Sequence, residues 1–215
     1  MKTLKNDWLI WTIILAPYIL VAWFWKQFPE QVPTHFGVDG EPDDYSSKVV
    51  GLIIFPAINI ALYFLFLVLP KIDPRKKNYP LFEEKYKVFR QITHSFLSYM
   101  LVITIFYSLG YHFSISMMAI YGILVMFLII GNMMGNIRAN FFLGIRTPWT
   151  LSSEEVWTKT HRFAAKLWVA LTLLTMILIA FLPKSEIVFG IYIGIITVVP
   201  VAFSYLEYKK LGKNG

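Results

Sequence analysis

Six apolar blocks dominate the chain, and each is about as long as a helix that crosses a lipid bilayer. A bilayer core of about 30 Å needs roughly 20 consecutive apolar residues in a helix. Hydrophobic residues make up 57% of the chain and charged residues 15%, whereas soluble domains carry about 25% charge. The sequence therefore predicts an all-α, polytopic membrane helix bundle with six transmembrane helices. The blocks are approximately Trp8–Phe28, Val49–Pro70, Ile92–Phe113, Ile115–Asn136, Phe163–Pro183 and Ile187–Leu206.

Lysines and arginines are unequally distributed between the connections. If the N-terminus is cytoplasmic, the inner segments carry 17 of these residues and the outer segments carry 3. Cytoplasmic loops are enriched in basic residues, so both termini are predicted to be cytoplasmic. The net charge of +7 is then explained without direct nucleic-acid binding. We expect one integral membrane domain over residues 1–215, with a two-span unit at 8–70 and a four-span unit at 92–206.

Several classes of chemistry are absent from the sequence. The chain has no cysteine, which excludes disulfides, Cys-ligated zinc and thiol catalysis. It has no nucleophile elbow, HExxH helix, phosphate loop or dinucleotide fingerprint, so neither a catalytic residue nor a cofactor is predicted. The predicted spans carry no acidic residue or arginine at their centres, where proton-coupled transporters usually have one.

The first outer loop, residues 29–48, is acidic and shaped by proline and glycine. Prolines restrict its backbone and glycines permit positive φ, so we expect an ordered recognition surface. A polar turn that caps two helices is the alternative. A single histidine beside scattered acids is a weak signal for a cation site, and no metal is predicted. The candidate ligand-binding residues are Pro33, His35, Asp39, Gly40, Pro42 and Asp43.

A dense polar motif begins at the inner end of the fourth block. Gly131 and Gly135 have the spacing that lets a second helix approach closely. If the helix continues, the asparagines at 132, 136 and 140 share one face. Ser152 followed by Glu155 predicts a capping box and a restarted helix. The candidate residues of the motif are Asn132, Arg138, Asn140, Gly144, Arg146, Thr147, Pro148, Trp149, Glu155, Trp157, His161 and Arg162.

Two interpretations of this motif remain open. It could anchor the re-entry of a helix, with tryptophans at the membrane interface and basic residues inside. Alternatively, Arg138, Arg146, Glu154, Glu155 and His161 could converge on one site. An unpartnered guanidinium at the membrane boundary is costly, so Arg146 is expected to bond a carboxylate or the carbonyls that end span four, and thereby to brace the bundle.

Two stretches resemble known families. Residues 29–43, which begin PEQVPTHF, resemble the N-terminal membrane domain of unknown function that often precedes SdpI-type proteins. Residues 144–151 (GIRTPWTL) and 157–162 (WTKTHR) closely resemble the signature of the SdpI family. The resemblance implies a multi-pass protein of the bacterial inner (plasma) membrane.

The resemblance also implies a function. The namesake branch of the family gives immunity to a secreted peptide toxin that attacks the membrane, and it can hold a transcriptional repressor at the membrane. The expected partners are therefore the lipid bilayer, a secreted peptide toxin outside and a cytoplasmic repressor, without catalytic turnover. A small transporter or flippase and a metal-dependent membrane enzyme are the alternatives. The sequence does not indicate an oligomeric state.

Overall fold

Helices form most of the protein in a computed structural model, which describes residues 7–37, 40–182 and 185–211. A π-helical turn, Val50–Ile54, leads into the second helix, and a 3₁₀ segment, Lys76–Phe82, leads into the third. The α-helices are α1 (Trp8–Phe24), α2 (Ile58–Ile72), α3 (Glu83–Ser108), α4 (Ile115–Met134), α5 (Pro148–Ser152), α6 (Glu154–Phe181) and α7 (Ser185–Leu211).

Four of the described segments are long and apolar enough to cross a membrane: Val50–Ile72, Ile115–Met134, Glu154–Phe181 and Ser185–Leu211. Helix α1 is apolar but has only 17 residues. Helix α3 has 26 residues, but its first turns are charged and it carries polar side chains further along. The chain is thus a helical membrane protein, while the count of six spans and the orientation of the termini stay predictions.

The all-α prediction is wrong for the acidic loop. Residues Gln31–Phe36 form β1 and residues Pro42–Ser47 form β2, and the two strands pair antiparallel with Val32 opposite Ser46. The apolar and β-branched residues of β1 favour a strand that packs on one face, and Val32 is completely buried. We call residues 30–48 the acidic hairpin.

The first compact unit comprises residues 1–66 and 90–123. The acidic hairpin packs in this unit against the π-helical turn. A Cβ atom on Gly51 would lie 2.4 Å from a methyl group of Val32, so only glycine lets β1 approach this closely. One buried hydrophobic cluster of the unit contains Val21, Phe28, Val32, Leu52, Leu101 and Ile105.

The second compact unit comprises residues 67–89 and 124–215. Its helices approach closely at Gly131, where an added Cβ would lie 3.0 Å from the Trp168 side chain, and at Gly135, which faces Ala165. The predicted close approach at these glycines is therefore confirmed. One buried hydrophobic cluster of this unit contains Tyr79, Phe82, Tyr86, Met133, Ile137, Ala139, Leu143 and Trp157.

The predicted orientation can be tested with single cysteines, because the chain has none of its own. The charge distribution predicts that a cysteine at Asp43 in the acidic hairpin is labelled by an impermeant thiol reagent in intact cells. A cysteine at Lys77 should be labelled only after the cells are opened. Both side chains are exposed, so reactivity reports the side of the membrane. Labelling at position 77 but not at position 43 in intact cells would reverse the orientation.

Candidate functional site

The acidic hairpin presents one exposed charged pair. His35 Nδ1 lies 2.5 Å from Asp43 Oδ1, and both side chains are more than half exposed. Pro33 is buried instead, and Gly40 has a φ of +85° and packs against Ser116. Pairing across the hairpin therefore leaves the imidazole and carboxylate accessible, while the proline and glycine shape the backbone beneath them.

Pro42 and Asp44, which flank Asp43, make other contacts. Pro42 begins β2 opposite Phe36, and the Asp44 carboxylate accepts a hydrogen bond from the backbone of Tyr45. Asp39 lies outside the described residues. Within the described part of the chain, no three His, Asp or Glu side chains are grouped so that they could hold a metal ion.

A buried ion pair in the first unit was missed from the sequence. Arg90 of α3 donates to Asp7 Oδ2 at 2.7 Å, and both residues are 3% exposed. The Tyr63 hydroxyl donates to the same oxygen at 3.1 Å, and the guanidinium lies 5.3 Å from the centre of the Tyr63 ring. This arrangement fixes the start of α1 to α2 and α3.

A second buried polar cluster lies further along α3. His94 Nδ1 donates to Asn59 Oδ1 at 2.7 Å, and the Asn59 amide donates to Ser98 Oγ at 3.1 Å. Ser98 donates in turn to the backbone carbonyl of Ile13 at 2.8 Å. Arg90, His94 and Ser98 are four residues apart and share one face of a helix. That spacing is the signal in the sequence that could have identified both clusters.

The polar motif of the second unit begins where α4 ends at Met134. The asparagines at 132, 136 and 140 therefore do not share a helical face, because the helix stops before the second of them. Asn140 is completely buried and organises the following turn. Its Oδ1 accepts from the backbone N–H groups of Phe142 and Leu143, and its Nδ2 donates to the carbonyls of Arg138 and Leu143. We call residues 135–147 the motif loop.

His161 connects the motif loop to α6. Its Nε2 accepts from the backbone N–H of Ile145 at 3.0 Å, and its Nδ1 donates to the carbonyl of Trp157 at 2.8 Å. The imidazole stacks on the Trp157 ring with centroids 4.0 Å apart. The indole of Trp157 donates to Ile137 O at 2.8 Å. Both ring nitrogens of His161 thus bond to backbone groups, one in the motif loop and one in α6, and the side chain is completely buried.

The capping box lies five residues earlier than predicted. Thr147 caps α5, with its Oγ1 accepting from Thr150 N while Thr150 Oγ1 accepts from Thr147 N. Pro148 occupies the first helical turn, where its missing N–H is tolerated.

The predicted box at Ser152 is wrong, because Ser153 is the N-cap of α6 and accepts from Val156 N. Thr147 also contacts Ser204 of α7, with the hydroxyl oxygens 3.1 Å apart.

Asp73 is a further residue that was missed. It is 1% exposed, and Oδ2 accepts from the Phe141 N–H at 2.9 Å and from the Tyr79 hydroxyl at 3.1 Å. Burial, with the Asp73 charge beside it, raises the pKa of the Tyr79 phenol. Asn78 donates to the carbonyl of Ala139 at 2.7 Å. The segment before α3 therefore holds the motif loop from a second side.

The charged residues of the motif lie on its exposed surface, and Arg146 and Glu155 each contact a residue outside the expected set. Arg146 donates to the carbonyl of Phe141 at 2.7 Å, and Glu155 pairs with Lys159 at 2.8 Å. Arg138 and Glu154 line a common pocket of about 90 Å³. The exposed residues of the motif include Asn132, Arg138, Arg146, Glu155 and Arg162. Trp149 packs against Tyr205, with the ring centroids 5.1 Å apart.

This exposure changes what is expected of Arg146. The Arg146 guanidinium donates to an exposed carbonyl, and not to the predicted carboxylate or to the carbonyls that end α4. The prediction that Arg146 braces the bundle through a buried bond is therefore wrong. We expect Arg146→Ala to lower the free energy of unfolding by no more than about 1 kcal/mol. Asn140→Ala should lower it by about 2–3 kcal/mol, because buried backbone groups lose their partners. Denaturant unfolding in detergent measures both, and equal losses would contradict this division.

The chain matches two family models. Residues 136–205 match the SdpI/YfhL protein family, and these residues include most of the motif loop, α5, α6 and most of α7. Residues 12–60 match a domain of unknown function, DUF1648, and these residues include the acidic hairpin. The two resemblances predicted from the sequence are therefore confirmed.

The chain is also similar to individual proteins. The chain is 28% identical over 201 residues to the protein named Immunity protein SdpI of Bacillus subtilis (strain 168), which covers 93% of this chain and 94% of that protein. It is 38% identical over 64 residues to an uncharacterized protein of Archaeoglobus fulgidus, covering 30% of this chain and 31% of that protein. No solved structure matches the chain.

Proposed function

We propose that this chain, which carries an SdpI/YfhL family segment and a DUF1648 domain, is a membrane immunity protein that protects a bacterium against a secreted, membrane-active peptide toxin. The observation that carries the proposal is the likeness to Immunity protein SdpI over 93% of the chain. The long apolar helices agree with it, since they suit a multi-pass protein of the plasma membrane.

The acidic hairpin is proposed as the surface that first meets the toxin. In the predicted orientation it lies outside the cell, where such a peptide arrives. Its exposed imidazole and carboxylate can exchange their mutual contact for contacts with a peptide. This role needs recognition and not turnover, in agreement with the absence of a catalytic motif from the sequence.

The motif loop is proposed as a scaffold that presents charged side chains to the cytoplasm. Asn140 and His161 form hydrogen bonds to the loop itself and to α6, which supports a structural role for them. Arg138, Arg146 and Arg162 are exposed and are available to a partner. A cytoplasmic repressor that carries a complementary acidic surface is the partner that we propose for them.

Complementation tests the proposed function directly. A Bacillus subtilis strain that lacks SdpI is co-cultured with its wild-type parent, with and without expression of this chain. We expect the expressing cells to survive better than cells that carry an empty vector. Survival equal to that of the empty vector, at a confirmed membrane level of the protein, would contradict the proposal.

The acidic hairpin has its own test in the same assay. We expect His35→Ala with Asp43→Ala to reduce survival strongly while leaving membrane level and melting temperature unchanged, because an exposed pair contributes at most about 1 kcal/mol to stability. Glu30→Ala is the matched control, since Glu30 is also an exposed hairpin acid in an ion pair. Undiminished protection by the double variant would exclude the pair from recognition.

A further inference from the structure

The first unit contains a pocket of about 260 Å³ beneath the acidic hairpin. It is formed by α1, β1, the π-helical turn with the residues that follow it, and α3. Drug-sized molecules occupy pockets of roughly 300–1,000 Å³, so this pocket suits one or two side chains of a larger ligand. Phe55 and Ile58 line it and are more than half exposed, so it reaches the apolar outer surface of the helices.

The pocket is not uniformly apolar. Tyr18 of α1 lines it, and the Tyr18 hydroxyl is buried without a hydrogen-bond partner in the described part of the chain. Thr34 and Thr104 also line the pocket, but Thr34 contacts Ser46 and Thr104 donates to the carbonyl of Met100. A buried hydroxyl without a partner is unfavourable, so an occupant that can form a hydrogen bond with Tyr18 would stabilise the site.

The local backbone supports a binding role. Gly51 and Phe55, which line the pocket, lie in and directly after the π-helical turn. Such turns are rare and occur frequently at functional sites. Asn59 and Ser98 also line the pocket, and hydrogen bonds hold both side chains in the buried cluster with His94. The pocket is thus preformed on α1, β1, the π-helical turn with the residues that follow it, and α3.

We propose that this pocket receives an aromatic side chain with a hydrogen-bonding group from a peptide inserted in the membrane, and that Tyr18 bonds to that group. A lipid acyl chain matches the apolar walls but offers no hydrogen bond to the phenol. The identification of this peptide as the toxin rests on the proposed function. Binding of the side chain itself does not depend on that identification.

The test uses the full chain in nanodiscs and two small probes, 4-fluorophenol and fluorobenzene, which differ by one hydroxyl group. Broadening of the ¹⁹F signal is measured against nanodiscs without protein. We expect saturable binding of 4-fluorophenol, about threefold or more tighter than that of fluorobenzene, which is the effect of one modest hydrogen bond. Tyr18→Phe should remove this preference while leaving the pocket volume unchanged.

A matched pair of variants locates the site. Thr104→Phe fills the pocket and should abolish binding of both probes. Thr12→Phe adds the same ring to the exposed face of α1. Thr12, like Thr104, donates to the carbonyl of the residue four positions earlier. The Thr12→Phe variant should bind both probes as the original protein does. Absence of saturable binding, or equal affinity for the two probes, would overturn the proposal.

Displacement identifies the class of occupant. A leucine-rich transmembrane peptide with one central tyrosine should displace 4-fluorophenol, and the same peptide with phenylalanine should do so about threefold less well or worse. If neither peptide displaces the probe, a peptide is the wrong occupant. If the probe and the peptide bind but the chain gives no protection in the co-culture assay, the proposed binding site stands and the proposed immunity role is rejected. Protection without binding would reject the pocket alone.

Discussion

Replacing Asp7 with alanine is expected to lower the free energy of unfolding by about 3–5 kcal/mol, because it leaves the Arg90 guanidinium buried without its counter-ion. Asp7 and Arg90 are 3% exposed and joined at 2.7 Å, and Tyr63 donates to the same carboxylate. The loss should appear in denaturant unfolding of the purified protein in detergent, together with a lower folded yield.

Two comparison variants separate charge burial from simple loss of contacts. Asp7→Ala combined with Arg90→Met should recover much of the stability, because no charge then remains in the buried site. Glu30→Ala removes an acid from an ion pair whose carboxylate is exposed and should cost at most about 1 kcal/mol. A double variant less stable than Asp7→Ala would show that the pair stabilises through more than mutual neutralisation.

Gly144→Ala is the second substitution with a large expected effect, about 2–5 kcal/mol. Gly144 has a φ of +106°, and a Cβ there would lie 2.4 Å from His161 Nε2. A side chain at positive φ costs about 1–2 kcal/mol. Displacing the imidazole would also break the bond from Ile145 N to Nε2, which leaves buried groups unpaired for about 1–3 kcal/mol more.

Gly110 provides the matched control. It has a φ of +92°, and a Cβ there would meet nothing within 4 Å. Gly110→Ala therefore carries the backbone strain alone and should cost about 1–2 kcal/mol. Thermal unfolding of the two variants in the same detergent measures the difference. Similar melting temperatures would show that His161 can move aside and that it does not fix the motif loop.

The apolar helices could be predicted from the sequence because span length and hydropathy are local properties. The buried pair of Asp7 and Arg90 could not, since the residues are 83 positions apart and only the fold brings them together. The acidic hairpin was predicted to be ordered, but its strands were missed because proline and aspartate are rare in strands. Packing of Val32 on Gly51 overrides that local preference.

The segment that contains most of the motif residues matches the SdpI/YfhL family, but the charges of these residues did not predict their roles. His161 was a candidate for a functional site, whereas the structure uses both of its ring nitrogens for bonds to the backbone. Arg146 was expected to brace the bundle, yet it is exposed. Spacing along the chain indicates which residues belong together, but a loop without helical periodicity gives no information on which side chains point inward.

The side-chain bonds within the motif loop and α6 also affect the order of folding. The bonds of Asn140 and the bond between Ile145 and His161 join residues at most 16 positions apart, so closing them costs little chain entropy. Low contact order favours early formation. We expect this local nucleus to form during synthesis, once residue 161 has left the ribosome. The bond between Thr147 and Ser204, 57 positions apart, would follow after α7 has been translated and inserted.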